Sequence, residues 1–426
     1  MKKAHRHIRG FVAAMIAVSA IAVPAVAASS AHASVELSFW SWRPEDTAFW
    51  TAETAKFQAA TGITVKYTPY VATDYNATLA TALTAGKGPD VMQIRAYGGM
   101  SSLSDAGNFL PLTTKDVPLL AKMAPGTLAG AQGYKDKRQF GVPYSTSVLG
   151  VFYNPDILSK AGVTANPTGW AGLLSAMAKV KKAGYTALAV GTGYAPGLEQ
   201  MWGAIAPAFY GGTSFYNSIV AGSTNFNDPA FVASLKAETD LYPYMPAGAS
   251  GLDYNTQRAL FANGKAAFYI GGSYELSYFR SLNANANIGW FPSPAAVAGG
   301  PRYVTNWADG AYAINAKTTH KAEALKFLNF IASKPLLQDG ANQLGWIPPV
   351  PNISSSEPAI TAMQRKIPTM GTPFLTLVGF RYGAPTSSSI MQPGFQKVAS
   401  GALTVEALAK SIQDGVATWY APFTKK

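Results

Sequence analysis

The strongest constraint on this chain is a change of hydrophobic period, repeated in order after residue 34. Val35, Leu37 and Phe39 alternate with polar residues, the two-residue repeat of a strand. From Pro44 the repeat lengthens: Phe49, Glu53 and Phe57 recur every four residues, as on one face of a helix. That helix is expected to stop at Thr61-Gly62, where glycine can take the left-handed conformation that closes a last turn. Ile63, Val65 and Tyr67 alternate again, and Tyr75, Leu79 and Leu83 return to helical spacing. Gly86-Lys87-Gly88-Pro89 ends that segment, and Asp90-Val91-Met92-Gln93-Ile94 reads as a buried strand. Such an order calls for parallel strands joined by helical crossovers, which is an α/β architecture. The pattern resumes with strands expected at 148–153, 187–190, 266–270 and 311–314, and helices at 173–182, 231–241, 254–262 and 319–332.

The first 33 residues follow a different logic. Lys2, Lys3, Arg6 and Arg9 precede an apolar run at 11–22, and two small-residue patterns follow, Ala25-Val26-Ala27 and Ala31-His32-Ala33. This is the layout of a secretory signal peptide, with cleavage expected after Ala33. An uncleaved anchor is the rival, because the run is about long enough to span a bilayer; the pattern before residue 34 favours removal. With no Cys in the chain there can be no lipid on an N-terminal Cys, so the product is expected free in a periplasm and not as a lipoprotein. The same absence excludes disulfides, thiolate metal sites, iron–sulfur clusters and a Cys nucleophile. Removing residues 1–33 takes away four of the 34 basic residues and none of the 22 acidic ones, leaving a net charge of +8. The remaining Lys and Arg are scattered, so no nucleic-acid partner is expected.

Catalytic motifs are few. Gly191-Thr192-Gly193-Tyr194-Ala195-Pro196-Gly197 follows a strand, but Pro196 stands where a dinucleotide loop needs its third glycine, and a plain strand-to-loop turn is expected. Gly86-Lys87-Gly88 is too short for a phosphate-binding loop, and no Gly-x-Ser-x-Gly elbow occurs. Beyond the leader the single histidine is His320, at the start of a helix, which leaves a Ser–His–Asp hydrolase nothing else to use. A carboxylate pair for glycoside hydrolysis stays open, since 22 acids allow many pairings. No metal and no cofactor are expected.

Aromatic residues at strand ends stand out instead: Trp40-Ser41-Trp42-Arg43, Arg95-Ala96-Tyr97, Pro143-Tyr144-Ser145, Tyr274 after Gly271-Gly272-Ser273, and Asn306-Trp307-Ala308-Asp309 before Gly310. Open α/β sheets bind ligands beyond the carboxyl ends of their strands. Rings there suit sugars, whose C–H faces pack on an aromatic face while Asp, Asn and Arg hold the hydroxyls. Trp40 is expected to pack inward, whereas Trp42, Tyr274 and Trp307 are expected to face ligand. Trp307 is read as a loop residue ahead of the strand at 311–314.

Several segments, in order, carry a resemblance. They are Phe39-Trp40-Ser41-Trp42, Phe57-Gln58-Ala59-Ala60-Thr61-Gly62-Ile63-Thr64-Val65, Gly88-Pro89-Asp90-Val91-Met92-Gln93, and Gly141-Val142-Pro143-Tyr144-Ser145. Val151-Phe152-Tyr153-Asn154-Pro155-Asp156, Phe261-Ala262-Asn263-Gly264-Lys265-Ala266 and Lys321-Ala322-Glu323-Ala324-Leu325-Lys326-Phe327 continue the set. Together they resemble family 1 extracellular solute-binding proteins, the sugar-capturing subunits of ABC importers. The resemblance implies a type II periplasmic-binding-protein fold, two α/β lobes with a hinge and an interlobe ligand cleft. It implies lobe 1 at 35–143 plus 300–333 and lobe 2 at 144–299 plus 334–426. A carbohydrate ligand, inner-membrane ABC permease subunits as partners, a monomeric state and no catalysis follow from the same resemblance. Position by position it points to Trp42, Arg43, Arg95, Tyr97, Tyr144, Ser145, Ser147, Trp202, Tyr274, Trp307 and Asp309 as ligand contacts. Arg381 is a looser match. A secreted glycan-cleaving enzyme, or the same fold holding an anionic sugar derivative or another metabolite, are the alternatives.

Overall fold

A computed structural model describes Val35–Thr424; the expected signal peptide lies outside these residues. Nine strands are present among them: β1 (Glu36–Ser41), β2 (Thr64–Pro69), β3 (Val91–Arg95), β4 (Val142–Tyr153), β5 (Thr186–Leu188), β6 (Ala266–Gly272), β7 (Gly289–Phe291), β8 (Val304–Ile314) and β9 (Gly371–Pro373). They run in the order β2-β1-β3-β8-β4-β6-β5, with β7 against β4 and β9 against β8. β1 pairs in parallel with both β2 and β3, as the opening strand–helix alternation requires. The intervening helix Thr47–Thr61 ends on Gly62, whose φ of 74° lets its N–H reach the Gln58 carbonyl.

Two long strands connect two cores. β4 pairs with β8 over its first half and with β6 and β7 over its second. One core gathers Leu37, Phe39, Trp50, Phe57, Tyr312 and Phe327; the other gathers Leu149, Val151, Leu173, Phe226, Phe268 and Phe395. Within β4, Leu149 and Val151 serve the second core, while Val148 and Phe152 point to the opposite face, against Phe261 and Phe279. The result is the two-lobed α/β fold.

Three expectations differ from this arrangement. The segment Pro143-Tyr144-Ser145, expected ahead of the strand at 148–153, is part of β4; Pro143, which has no N–H to give a ladder, sits beside a register shift. Likewise β8 begins at Val304, so Trp307 lies inside a strand and not ahead of one. The helix Lys334–Gln343, expected with the second lobe, buries Leu336, Leu337 and Ala341 in the first core, against the helices Thr47–Thr61 and Lys321–Ile331. Ile347 is the first residue after it to join the face that holds Phe261.

Candidate functional site

Between the two cores lies a cleft of two connected compartments, of about 650 Å³ and about 730 Å³. Both are bordered by Thr73, Arg95, Tyr194, Gln200, Tyr274 and Asp309. The first continues past Trp42, Arg43, Glu45, Tyr254, Arg258 and Tyr278. The second continues past Asn76, Glu199, Trp307, Phe374, Arg381 and Gln392.

The first compartment is tiled with rings. Tyr194 and Tyr254 stack with centroids 4.5 Å apart. Arg258 lies over both Tyr254 and Tyr278, at 3.8 Å and 3.5 Å. Its guanidinium also faces the buried Glu275 at 3.6 Å, whose carboxylate accepts from the hydroxyls of Tyr254 and Tyr269. Burial raises the Glu275 pKa, and Arg258 and the two hydroxyls oppose that rise.

Arg43 follows β1 and reaches across to the helix Glu275–Leu282. Its Nε donates to Asp46 at 2.6 Å and its Nη2 to Ser277 Oγ at 2.7 Å. Burial opposes the Arg43 charge, but Asp46 and Glu45 more than offset it. Arg43 thus borders the cleft with its Nε and Nη2 donors committed to protein. Arg95 is different. Its guanidinium lies 3.9 Å over the Trp42 ring, bonds Asn76 Oδ1 and the Ala72 carbonyl at 3.3 Å, and among the described residues has no carboxylate within ion-pair distance. Trp42 is only 5% exposed, with Arg95 on its ring and Tyr75 packed 5.6 Å away, so it supports Arg95 where an open stacking platform was expected.

Asp309 borders both compartments, and its Oδ2 accepts from the Tyr144 hydroxyl at 2.6 Å. Tyr144 itself is buried beneath the floor among Tyr312 and Trp346. Ser145 and Ser147 reach only a narrow recess below the main cleft, with Ser145 Oγ accepting from the Ile347 N–H. Tyr274 is half-buried at the cleft centre, its ring edge-on to Trp307 at 6.3 Å. Trp307 borders the second compartment but is buried on Phe374 at 5.2 Å.

Two expected contacts lie elsewhere. Tyr97 is buried, and its hydroxyl accepts from the Ala308 N–H. Trp202 is fully buried in the second core, bonded to Ser234 Oγ at 3.0 Å and packed on Phe231. It is two residues past Gln200, about 200° round the same helix, so it turns away from the cleft that Gln200 faces.

Tyr194, Tyr254, Arg258, Glu199 and Gln392 were missed. Tyr194 had a signal: it follows β5 in the Gly191–Gly197 loop, at a strand's carboxyl end like the others. Glu199 had none, because its partners are distant in sequence. Its Oε1 accepts from Thr376 and Ser388, and its Oε2 from Arg381 at 2.9 Å and Gln392 at 2.6 Å. Arg381, the looser match, is thereby fixed at the end of the second compartment. No cluster of three or more His, Cys, Asp or Glu suited to a metal occurs among the described residues.

Known proteins resemble this chain in sequence and in fold. The maltotriose-binding protein of Pyrococcus abyssi is 26% identical over 283 residues, covering 65% of this chain and 58% of the relative. The maltodextrin-binding protein MdxE of Bacillus subtilis is 26% identical over 290 residues, covering 65% and 64%. The match thus spans about three fifths of these relatives' length. Among solved structures, a chitin oligosaccharide binding protein superposes with a TM-score of 0.77 at 22% identity, over 91% of this chain and 99% of that one. RafE, solved in complex with raffinose, superposes with a TM-score of 0.75 at 18% identity, over 90% and 99%. These likenesses show a shared fold. The sequence pattern of the bacterial extracellular solute-binding proteins matches residues 41–336, and with that match over most of its length the chain belongs to this family.

Proposed function

We propose that this protein is the carbohydrate-capturing component of an ABC importer. It is exported by its N-terminal segment, works in the periplasm as a monomer without a lipid anchor, and hands its ligand to inner-membrane permease subunits. The observation that carries the reading is the interlobe cleft: half-buried Tyr194 and Tyr274 offer ring surface, Tyr254 backs Tyr194, and Arg95, Asp309 and Gln200 offer polar groups between them. That mixture of apolar rings and a few fixed polar groups matches a pyranose. The names of the relatives, which bind maltotriose and maltodextrin, support the same class.

In this proposal one lobe comprises residues 35–145 and 308–346 and the other 146–307 and 347–424, meeting where β4 and β8 cross. Ligand touching both lobes favours the closed form by the contacts it gains there. The carboxylates bordering the cleft argue for binding without turnover. Glu199 has both oxygens taken up by four donors, and Asp253 caps a helix through the Thr256 N–H, which lowers its pKa. Glu45 faces Arg43 and Arg258 at 3.6 and 3.9 Å. Glycoside hydrolysis needs two available carboxyl groups, and with these three engaged only Asp309 Oδ1 is left bordering the cleft among the described residues, which supports binding without turnover. Arg95, with no carboxylate partner, favours one further reading, a sugar bearing an acidic group.

A thermal-shift screen of the purified protein against neutral oligosaccharides, uronates and sugar phosphates tests the proposal. Ligand at ~100 times its Kd should stabilise the fold by about 2.7 kcal/mol. A shift with another metabolite class and none with sugars would overturn the carbohydrate assignment, and shortened oligosaccharides after incubation would overturn the non-enzymatic one.

A further inference from the structure

β4 and β8 do not pair evenly where they cross between the lobes. Pro143 pairs with Ala311, Ser145 with Gly310, and Thr146 with Ala308. Tyr144 is therefore an extra residue on β4, and Asp309, one step on, an extra residue on β8. Each strand bulges once, and the two bulges cancel, so the register on either side is kept. A bulge re-aims the side chain it carries. Here the two re-aimed side chains meet, with the Tyr144 hydroxyl 2.6 Å from Asp309 Oδ2.

Behind Tyr144 the bonding continues across the sheet. Gln93 on β3 donates its Nε2 proton to the Tyr144 oxygen at 2.8 Å. Ser41 at the end of β1 donates to Gln93 Oε1 at 2.6 Å, and the Arg43 N–H in turn gives to Ser41 Oγ at 3.1 Å. A tyrosine hydroxyl has one proton. With its oxygen already receiving a proton from Gln93, that one proton is committed to Asp309. Ser41, Gln93 and Tyr144 are all buried, so water does not compete along the line. At its end Asp309 keeps Oδ1 without a protein donor among the described residues, on the border of both compartments.

We infer that Tyr144 is a positioning residue and that the paired bulges make Asp309 a fixed, acceptor-only contact. The ligand must then bring a donor, a sugar hydroxyl, to the point that Asp309 Oδ1 faces. An analogue with that hydroxyl removed or methylated is rejected, because the carboxylate is left without its donor. This rests on the carbohydrate reading above for the identity of the donor, but not for the geometry of the line.

Tyr144→Phe tests it, because the ring keeps its packing on Tyr312 and Trp346 and loses only the hydroxyl. A crystal structure of this variant should show the Asp309 carboxylate in a different rotamer; an unmoved carboxylate overturns the inference. Calorimetric titration with maltotriose and raffinose supplies a second reading, using Tyr144→Phe, Asp309→Asn and the double variant. Tyr144→Phe should weaken binding about tenfold, the scale of one bond to a charged group, and Asp309→Asn at least as much. If Tyr144 acts through Asp309, the double variant binds no more weakly than Asp309→Asn alone. Losses that multiply would show Tyr144 acting independently and overturn the inference. Should neither sugar bind the wild-type protein, the carbohydrate reading suffers, and the crystal structure alone decides the positioning role.

Discussion

Replacing Trp307 by alanine tests how the second compartment is built. The indole is 6% exposed, sits mid-strand on β8 opposite Ser147, packs 5.2 Å from Phe374 and stands edge-on to Tyr274 at 6.3 Å. Truncating a buried Trp costs about 3–5 kcal/mol, from lost transfer energy plus the cavity left behind. One side of this ring borders the cleft, so water can enter the void, and the lower end, about 3 kcal/mol, is expected. At about 2.1 cal/mol/K of unfolding entropy per residue, a body of this size shifts by roughly 1.2 °C per kcal/mol, and Tm should fall by about 4 °C. The folded variant should also bind the proposed sugar ligand about tenfold more weakly, since the wall behind Tyr274 is gone. Calorimetric melting gives the first number and isothermal titration the second. A melting temperature within about 1 °C of wild type would refute the reasoning, because it would mean that the ring carries none of the packing on Phe374.

Glu238 is wholly buried, and among the described residues neither of its oxygens nor the Tyr242 hydroxyl has a hydrogen-bond partner. Burial first, then the Glu199 charge, holds its pKa well above the usual carboxylate range. Above about pH 4.3 the unfolded chain releases this proton while the folded one keeps it, so stability should fall as pH rises, by up to about 1.4 kcal/mol per unit. Glu238→Gln should flatten that slope in urea titrations near pH 5 and pH 7, and an unchanged slope would count against it. Glu199→Ala leaves Arg381 and Gln392 without their anchor and should cost about 3–5 kcal/mol by denaturant unfolding; a loss under about 1 kcal/mol would show the four bonds to be idle. Arg43→Ala removes the 2.7 Å bond that joins the end of β1 to Ser277, and small-angle scattering should show a larger mean radius than wild type. Equal radii for the two folded proteins would mean that the bond does not restrain the lobes.

How far the sequence carried differs from one element to the next. The strands at 36–41, 64–69 and 91–95 and the helix at 47–61 were legible because their periodicity is local and their stop signals, Gly62 above all, act on the next bond. β4 and β8 were read too short. Their crossing halves are held by pairing with each other across more than 150 residues, and no local period reports that. Among the residues that border the cleft, Arg95, Tyr274 and Asp309 were singled out by one rule, that ligands meet the ends of strands. The same rule misplaced Tyr97, which turns under the floor, and a family match misplaced Trp202, which turns into a core.

What the sequence determined alone was therefore the class of fold, its opening parallel units and the aromatic character of its strand ends. Those follow from side-chain period and chain stiffness over a few residues. Tertiary structure decided which of those residues face the cleft and what each can still offer there. Trp42 became a support once Arg95 covered it, Arg43 gave its Nε and Nη2 to Asp46 and Ser277, and Tyr144 passed below the floor to hold Asp309. The reason is physical: a hydrogen bond or a ring contact occupies an atom whatever the sequence distance of its partner, and those partners are brought together only by the packing of the two lobes.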